Sequence, residues 1–432
     1  MKRKYSFTGV LSVLTLCVLL SVNAFGQAEK SAQTPHALST QHLMTMVEHN
    51  AGVRRMLRES IEKAKTINPD RATNPAQTLE EYYAFIDWAA QALPWSIVPS
   101  LPYSQLYDQI DQSLDYFYFI NDQPLPELKG KGYYNNSLQY HEPYRTWMIQ
   151  FTKDWGRYLS KEGSWNDAYY KKALEDERFG LNKGWYEDPS NWKTFNDFFA
   201  RYLKSPDQRP IASPDDPSIV SSPADSQPQG IWKIDKNSNI VHRKGVTIKS
   251  RVFKSIAELI GEGSAYTTAF ANGTLTHTFL DVNDYHRYHY PIAGTIKEVR
   301  IIQSDDAAGG ITTWDAKLKK YVLDANTPGW QMIETRGCVI IETNEYGVVA
   351  LLPIGMSQVS SVNFEEIVKV GNTVKKGDML GYFLFGGSDF VMLFQRKVAL
   401  KLAVPQESTR IYKHVLMGEK YGTLTLKSKS GN

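Results

Sequence analysis

Two patterns of apolar and polar positions divide the chain. From about His36 to Lys204, apolar and aromatic residues recur at helical intervals. "TLEEYYAFIDWAAQAL" opens with Thr78 and Glu81 in capping-box spacing, and Leu79, Tyr82, Tyr83, Ile86, Ala89 and Ala90 follow with helical period. "YDQIDQSLDYFYFI", "YRTWMIQFTKDWGRYL" and "SWNDAYYKKALEDERF" repeat it. Trp and Tyr stripes at this spacing predict a packed core rather than a substrate cleft. From Ile231 onward, short β-rich runs such as "GIWKI", "YHYPIAGTIKEVRII", "GCVIIET", "GVVALLPIG" and "MLGYFLF" alternate with Gly and Asn turns, with one helix expected near "SRVFKSIAELIG". The predicted class is α+β, an aromatic-rich helical domain over 29–204 followed by a mostly β domain over 205–432. The stretch between them, "KSPDQRPIASPDDPSIVSSPADSQPQG", is crowded with Pro, Ser and Asp and on its own reads as a linker.

The first residues change the picture of where the protein works. Lys2, Arg3 and Lys4 precede an apolar run from about Val10 to Val22 and then small residues, the pattern of a secretory signal over 1–28. An exported protein, periplasmic or extracellular and in contact with a membrane surface, is the expectation. Without that segment, basic and acidic residues are equal in number, so no global positive field draws nucleic acid. A single cysteine, Cys338, then remains, and no internal disulfide can form.

One β run is broken in an unusual way. In "GYFLFGGSDFVMLFQ", Gly386, Gly387, Ser388 and Asp389 interrupt two runs of β-formers. A turn or bulge accounts for this, because Gly reaches positive φ freely and Ser and Asp favour turns. The alternative is that the backbone itself reacts: glycines before a serine leave the Gly387 carbonyl open to attack by the Ser388 oxygen. A base and an acid would be needed. "FLDVNDYHRYHYPIAG" offers His286 and His289, and "SSPADS" offers Asp225. Taken singly these read as ordinary polar histidines, half of a zinc site, and a turn aspartate; no third metal ligand stands out, and no metal is expected. "PIAGTIKEV" and "VKVGNTVKKGDMLGYF" carry the turn pattern of barrel-sandwich folds, without a modifiable lysine at a hairpin tip.

Together, "SSPADS", "FLDVNDYHRYHYPIAGTI", "VVALLPIGMSQVSSV" and "VKKGDMLGYFLFGGSDFVMLF" resemble phosphatidylserine decarboxylases in order and approximate spacing, with "TFNDFFARYLK" and "RPI" similar to that family's opening segment. The aromatic region in front is similar to the extra domain of decarboxylase-like proteins that include fungal tryptophan decarboxylases. The resemblance implies a mostly β decarboxylase domain with barrel-sandwich elements, self-cleaved between Gly387 and Ser388. The cofactor would be a covalent pyruvoyl group derived from Ser388. It assigns Asp225 and His289 as acid and base for Ser388, and His286 to decarboxylation. Asp389 would lie beside the new carbonyl, a candidate for contact with the substrate's acidic groups. Three readings stay open: decarboxylation of phosphatidylserine to phosphatidylethanolamine, decarboxylation of a free amino acid, aromatic ones such as tryptophan included, and a catalytically silent binding protein on the same fold.

Overall fold

The helical pattern of the first half is realised nearly element for element. A computed structural model describes residues 35–93, 112–242, 246–248, 251–304, 311–324, 328–355, 361–385, 388–408 and 411–427. The segment expected to be a signal, 1–28, and Gly386–Gly387 lie outside the described residues. Helices α1 (Leu38–His49), α2 (Ala51–Ile67), α3 (Leu79–Ala89), α4 (Gln112–Asn121), α5 (Tyr144–Leu159) and α6 (Asp167–Ala173) come first, and the short α7 (Phe195–Phe199) follows. Thr78 caps α3 by accepting from the Glu81 amide, while Glu81 reaches back to the Gln77 amide rather than to Thr78 itself. The aromatic stripes are core: Tyr82, Phe85 and Ile86 of α3 pack with Tyr116, Phe117 and Phe119 of α4 and Trp147 and Phe151 of α5. Their polar tips are satisfied within it, the Tyr82 and Tyr144 hydroxyls meeting each other at 2.9 Å and sharing Asn121.

The second half is built on an open seven-stranded antiparallel sheet. Its strands are β1 (Gln227–Lys233), β2 (Thr274–Leu280), β4 (Gly294–Ile302), β7 (Thr335–Thr343), β8 (Gly347–Gly355), β10 (Thr373–Val374) and β12 (Ser388–Phe394), in the order β10-β4-β7-β8-β12-β2-β1. A small sheet of β9 (Asn363–Phe364), β11 (Met379–Tyr382) and β3 (Arg287–His289) lies beside it. The expected helix is present as α8 (Ile256–Ile260). The two barrel-sandwich segments do pair, Thr373 opposite Thr295 and Val374 opposite Gly294. Alternation along β12 splits the core in two: Phe390, Met392 and Phe394 face one cluster, Val391 and Leu393 the other. Ser388 is the first residue of this strand, opposite Gly355 on β8 and Leu280 on β2.

The helical and β-rich segments share their interiors. A hairpin of β5 (Ile311–Asp315) and β6 (Lys320–Asp324) inserts Tyr321 into the helical core. Its ring lies 4.9 Å from Phe119 and 5.5 Å from Tyr116, and its hydroxyl donates to the Thr73 carbonyl at 2.8 Å and accepts from Asn68 at 2.9 Å. The Gln112 side chain brackets the same residue's backbone, accepting from its amide and donating to its carbonyl. The Pro/Ser/Asp-rich stretch is likewise no free linker, since Arg209, Val220, Ala224, Asp225 and Ser226 are all buried.

Tyr321 is therefore the place to test this shared packing. Tyr321→Ala should cost about 3–5 kcal/mol, as for other large buried aromatics. Tyr321→Phe, which keeps the ring and strands only the hydroxyl's partners, should cost about 1–2 kcal/mol. Urea titration followed by tryptophan fluorescence measures both, and equal losses for the two variants would contradict the hydrogen-bonding account.

Candidate active site

The turn "DVNDYH" between β2 and β3 is held from several sides before it delivers a histidine. The Asp281 amide donates to the Asp284 side chain at 2.8 Å, and the Asp284 amide donates back to the Asp281 carbonyl at 2.9 Å. The Asp284 carboxylate also meets His414 at 2.8 Å, and burial pushes its pKa up to about 6. Beneath the turn lies Arg201, fully buried, which donates to the carbonyls of Asn283 and Asp284 at 2.9 Å each. Its guanidinium stacks on Tyr186 at 4.4 Å and makes no ion pair among the described residues.

His286 emerges from this turn with one tautomer imposed. Its Nε2 lies 3.0 Å from the Asp281 carbonyl, which can only accept, so Nε2 carries the hydrogen. Nδ1 is left with its lone pair facing the Ser388 hydroxyl at 3.1 Å. The imidazole lies on the Phe199 ring at 3.7 Å between centroids and has no solvent access. Burial, reinforced by the positive charge of Arg201, lowers its pKa to about 3, so the ring is neutral at ordinary pH. Ser388 is equally buried. A serine donating to a neutral imidazole, whose far nitrogen is fixed by an acceptor, is the geometry of an activated nucleophile, with a backbone carbonyl in the third position.

His289 has both nitrogens engaged elsewhere. Nδ1 donates to the Gly377 carbonyl at 2.9 Å, and Nε2 accepts from the Tyr285 hydroxyl at 3.2 Å. Gly377 has φ +89, where a side chain would be strained, and an added Cβ would also meet Ile211 at 2.6 Å. Burial lowers the His289 pKa to about 4, partly opposed by the charge of Asp225. Asp225 makes a buried bidentate pair with Arg209, at 3.0 and 2.7 Å, and accepts from the Met417 amide at 2.7 Å. It lies near His289 through the chain, since the His289 amide donates to the Pro223 carbonyl. Of the residues singled out in the sequence, then, His286 and Ser388 meet directly, while Asp225 and His289 form a neighbouring, separately bonded layer. Asp389 points to the opposite face of β12 from Ser388, where His277 and Gln331 bind it.

Three contributors were not singled out. Phe199 supports the imidazole, Asn196 accepts from the Phe385 amide at 2.9 Å just before the two glycines, and Arg201 holds the turn. All three belong to "TFNDFFARYLK", whose capped start at Thr194 and Asp197 sets α7 in place. Their signal was the segment itself, legible in the sequence only as a whole, through its likeness to the family's opening stretch.

The family profile described as phosphatidylserine decarboxylase matches residues 195–423, just over half of the chain. The chain belongs to the phosphatidylserine decarboxylase family. Phosphatidylserine decarboxylase proenzyme 2 of Oryza sativa subsp. japonica is 34% identical over 244 residues, which cover 56% of this chain and 35% of the relative. Phosphatidylserine decarboxylase proenzyme of Fusobacterium nucleatum is 29% identical over 290 residues, 63% of this chain and 83% of the relative. Decarboxylase iboD of Amanita muscaria is 27% identical over 277 residues, 58% and 77%. The chain spans about a third of the rice protein's length and 23% of a Schizosaccharomyces pombe relative's. Asn196, Phe199, Arg201, Asp225, His286, His289 and Ser388 all fall inside the family match, whereas α1 to α6 precede it.

The Arg209–Asp225 pair yields a direct test. Arg209→Met should destabilise the protein by about 3–5 kcal/mol, because it leaves a carboxylate buried without its cation. Adding Asp225→Asn should recover part of that loss in urea titration; a double variant as unstable as the single one would show that Arg209 acts instead through its packing on the Trp185 ring, 4.2 Å away.

Proposed function

We propose that this protein is a self-processing, pyruvoyl-dependent decarboxylase that converts phosphatidylserine to phosphatidylethanolamine and CO₂. The observation that carries the reading is the Ser388–His286 hydrogen bond of 3.1 Å, buried at the head of a central strand and directly after two glycines. The substrate is supported by relatives named for that activity over a shared catalytic stretch. Export, and work at a membrane surface, are supported by the N-terminal signal pattern and by a lipid substrate.

His286 Nδ1 takes the Ser388 proton as Oγ attacks the Gly387 carbonyl carbon. The C–N bond breaks, the Ser388 nitrogen takes up a proton, and an ester joins Gly387 to the serine oxygen. A base then removes the Ser388 Cα hydrogen, the Cβ–Oγ bond breaks, and Gly387 leaves as a carboxylate. The dehydroalanine left at position 388 tautomerises and hydrolyses, releasing ammonia and leaving a pyruvoyl group. The residues present fit such a group: its precursor heads a strand and contacts a neutral base whose ring lies on Phe199, itself packed edge-on against Phe385. When present, a pyruvoyl group condenses with the substrate amine and accepts the electrons released as CO₂ departs. His286, fixed beside position 388, is placed to hold or return a proton there. Burial, reinforced by the charge of Arg201, keeps that imidazole neutral, and Arg201 holds its turn; Asp225, Arg209, Tyr285 and His289 brace β3 from behind.

Purified protein should run as two chains, the smaller spanning 388–432 with a pyruvoyl mass at its start, and Ser388→Ala as one. His286→Gln should slow cleavage about 10²–10⁴-fold, the usual range for losing a positioned base. His289→Gln should slow it less; the reverse order would assign the base to His289. Because the base titrates at about 3, the cleavage rate should show no acid limb near pH 6.5 and should fall only as pH approaches that lower value. CO₂ release from phosphatidylserine vesicles, against a panel of free amino acids including tryptophan, tests the substrate; release from amino acids alone would replace the lipid.

A further inference from the structure

The face of β12 turned away from His286 carries a polar group where its neighbours are apolar. Asp389, Val391 and Leu393 point the same way, and the latter two pack into the cluster with Leu352, Ile354 and Ile340. Asp389 has no solvent access, yet its carboxylate is fully bonded: it accepts from the Phe390 amide at 2.8 Å, from Gln331 Nε2 at 3.0 Å and from His277 Nδ1 at 2.8 Å. His277 belongs to β2, diagonal to Asp389 across the ladder, and lies flat against Trp232 at 4.9 Å. Gln331 comes from the short turn Trp330–Ile333 outside the sheet and is fixed in its own right, accepting from the Gly329 amide. The far nitrogen of His277 is enclosed and meets no partner. A buried polar trio with an unpaired nitrogen is a costly way to stabilise a core, since apolar side chains of similar volume are often neutral or better.

The position of Asp389 explains what the cost achieves. It is the second residue after the bond that breaks, directly next to the residue that becomes the new terminus. Before cleavage, residue 388 is tethered by covalent bonds on both sides; afterwards it is a strand terminus, and strand termini fray with opening free energies near zero. We propose that Asp389, His277 and Gln331 form a clamp that holds this new terminus, and with it the group made from Ser388, in register with His286. The inference rests on the self-cleavage reading above. These are positioning residues: none touches the serine, and they tie its neighbour to two separate elements, β2 and the Trp330–Ile333 turn.

The test compares cut and uncut protein. His277→Leu and Gln331→Leu are made in the wild-type chain and in Ser388→Ala, which stays whole; His277→Asn, which retains a donor, serves as the conservative variant. Both Leu variants should still cleave, with the expected mass for the 388–432 chain. In the cut protein, amide hydrogen exchange over residues 389–391 should rise about tenfold or more, while in the Ser388→Ala background it should change little, because the covalent tether does the clamp's work. kcat should fall with KM nearly unchanged, and His277→Asn should restore both readouts. If His277→Leu fails to fold, Gln331→Leu, which removes one hydrogen bond, decides alone. Equal exchange increases in cut and uncut backgrounds, or no increase in the cut protein, would overturn the clamp while leaving self-cleavage standing. A wild-type chain that folds but stays whole would overturn the cleavage reading itself, and the clamp with it.

Discussion

The hydrogen bond from Ser388 to His286 depends on a neutral imidazole presented with the right nitrogen, and much of the surrounding structure serves that requirement. Water normally stabilises the charged imidazolium; its removal lowers the proton affinity of the ring, and the nearby guanidinium of Arg201 lowers it further. The Asp281 carbonyl then fixes which nitrogen keeps its hydrogen. A buried Arg201 without an ion pair among the described residues would be a liability in an ordinary core. Here one terminal nitrogen donates to two carbonyls of the same turn that carries the histidine, so that one side chain adds to both the electrostatic and the geometric control.

Much of the fold was legible because period and caps act locally. "YRTWMIQFTKDWGRYL" coincides with α5, and Thr78 marks the start of α3, since an amphipathic stripe and a capping side chain need no tertiary information. The stretch from Lys204 to Gly230 was legible only as a linker. Proline and serine report backbone preference, and nothing local announces that Arg209 and Asp225 will be buried against each other. The site divides in the same way. Asp225, His286, His289 and Ser388 stood out as residue types in recurring motifs, but which histidine faces the serine depends on how β3 and the preceding turn sit against β12. Asp389 was expected beside the substrate from its place in the chain. Strand alternation turns its side chain to the opposite face, a consequence visible only once Ser388 is known to begin the strand rather than lie in a turn.

The helical region and the β-rich region are bound through their interiors rather than along a surface. Tyr321 reaches from the β5–β6 hairpin into the helical core, and Trp155 of α5 packs edge-on against Phe385, in the residues leading to the two glycines. Asn196 holds the Phe385 amide from the same side. The aromatic region therefore touches the residues that lead into Gly386 and Gly387, although it lies outside the family match.

The complete enclosure of Ser388 and His286 orders events in time. Under the proposed chemistry, attack by a residue on its own backbone needs no door and would proceed in a dry interior, where an ester would have no solvent competitor and elimination would be its open route. The following step, hydrolysis at position 388, requires water, as substrate later requires a passage. Under the proposed chemistry the severed backbone is itself the event that can create that opening. A sealed precursor would thus be protected from misfiring by the same packing that its own first reaction undoes, and maturation would serve as the enzyme's irreversible admission of solvent.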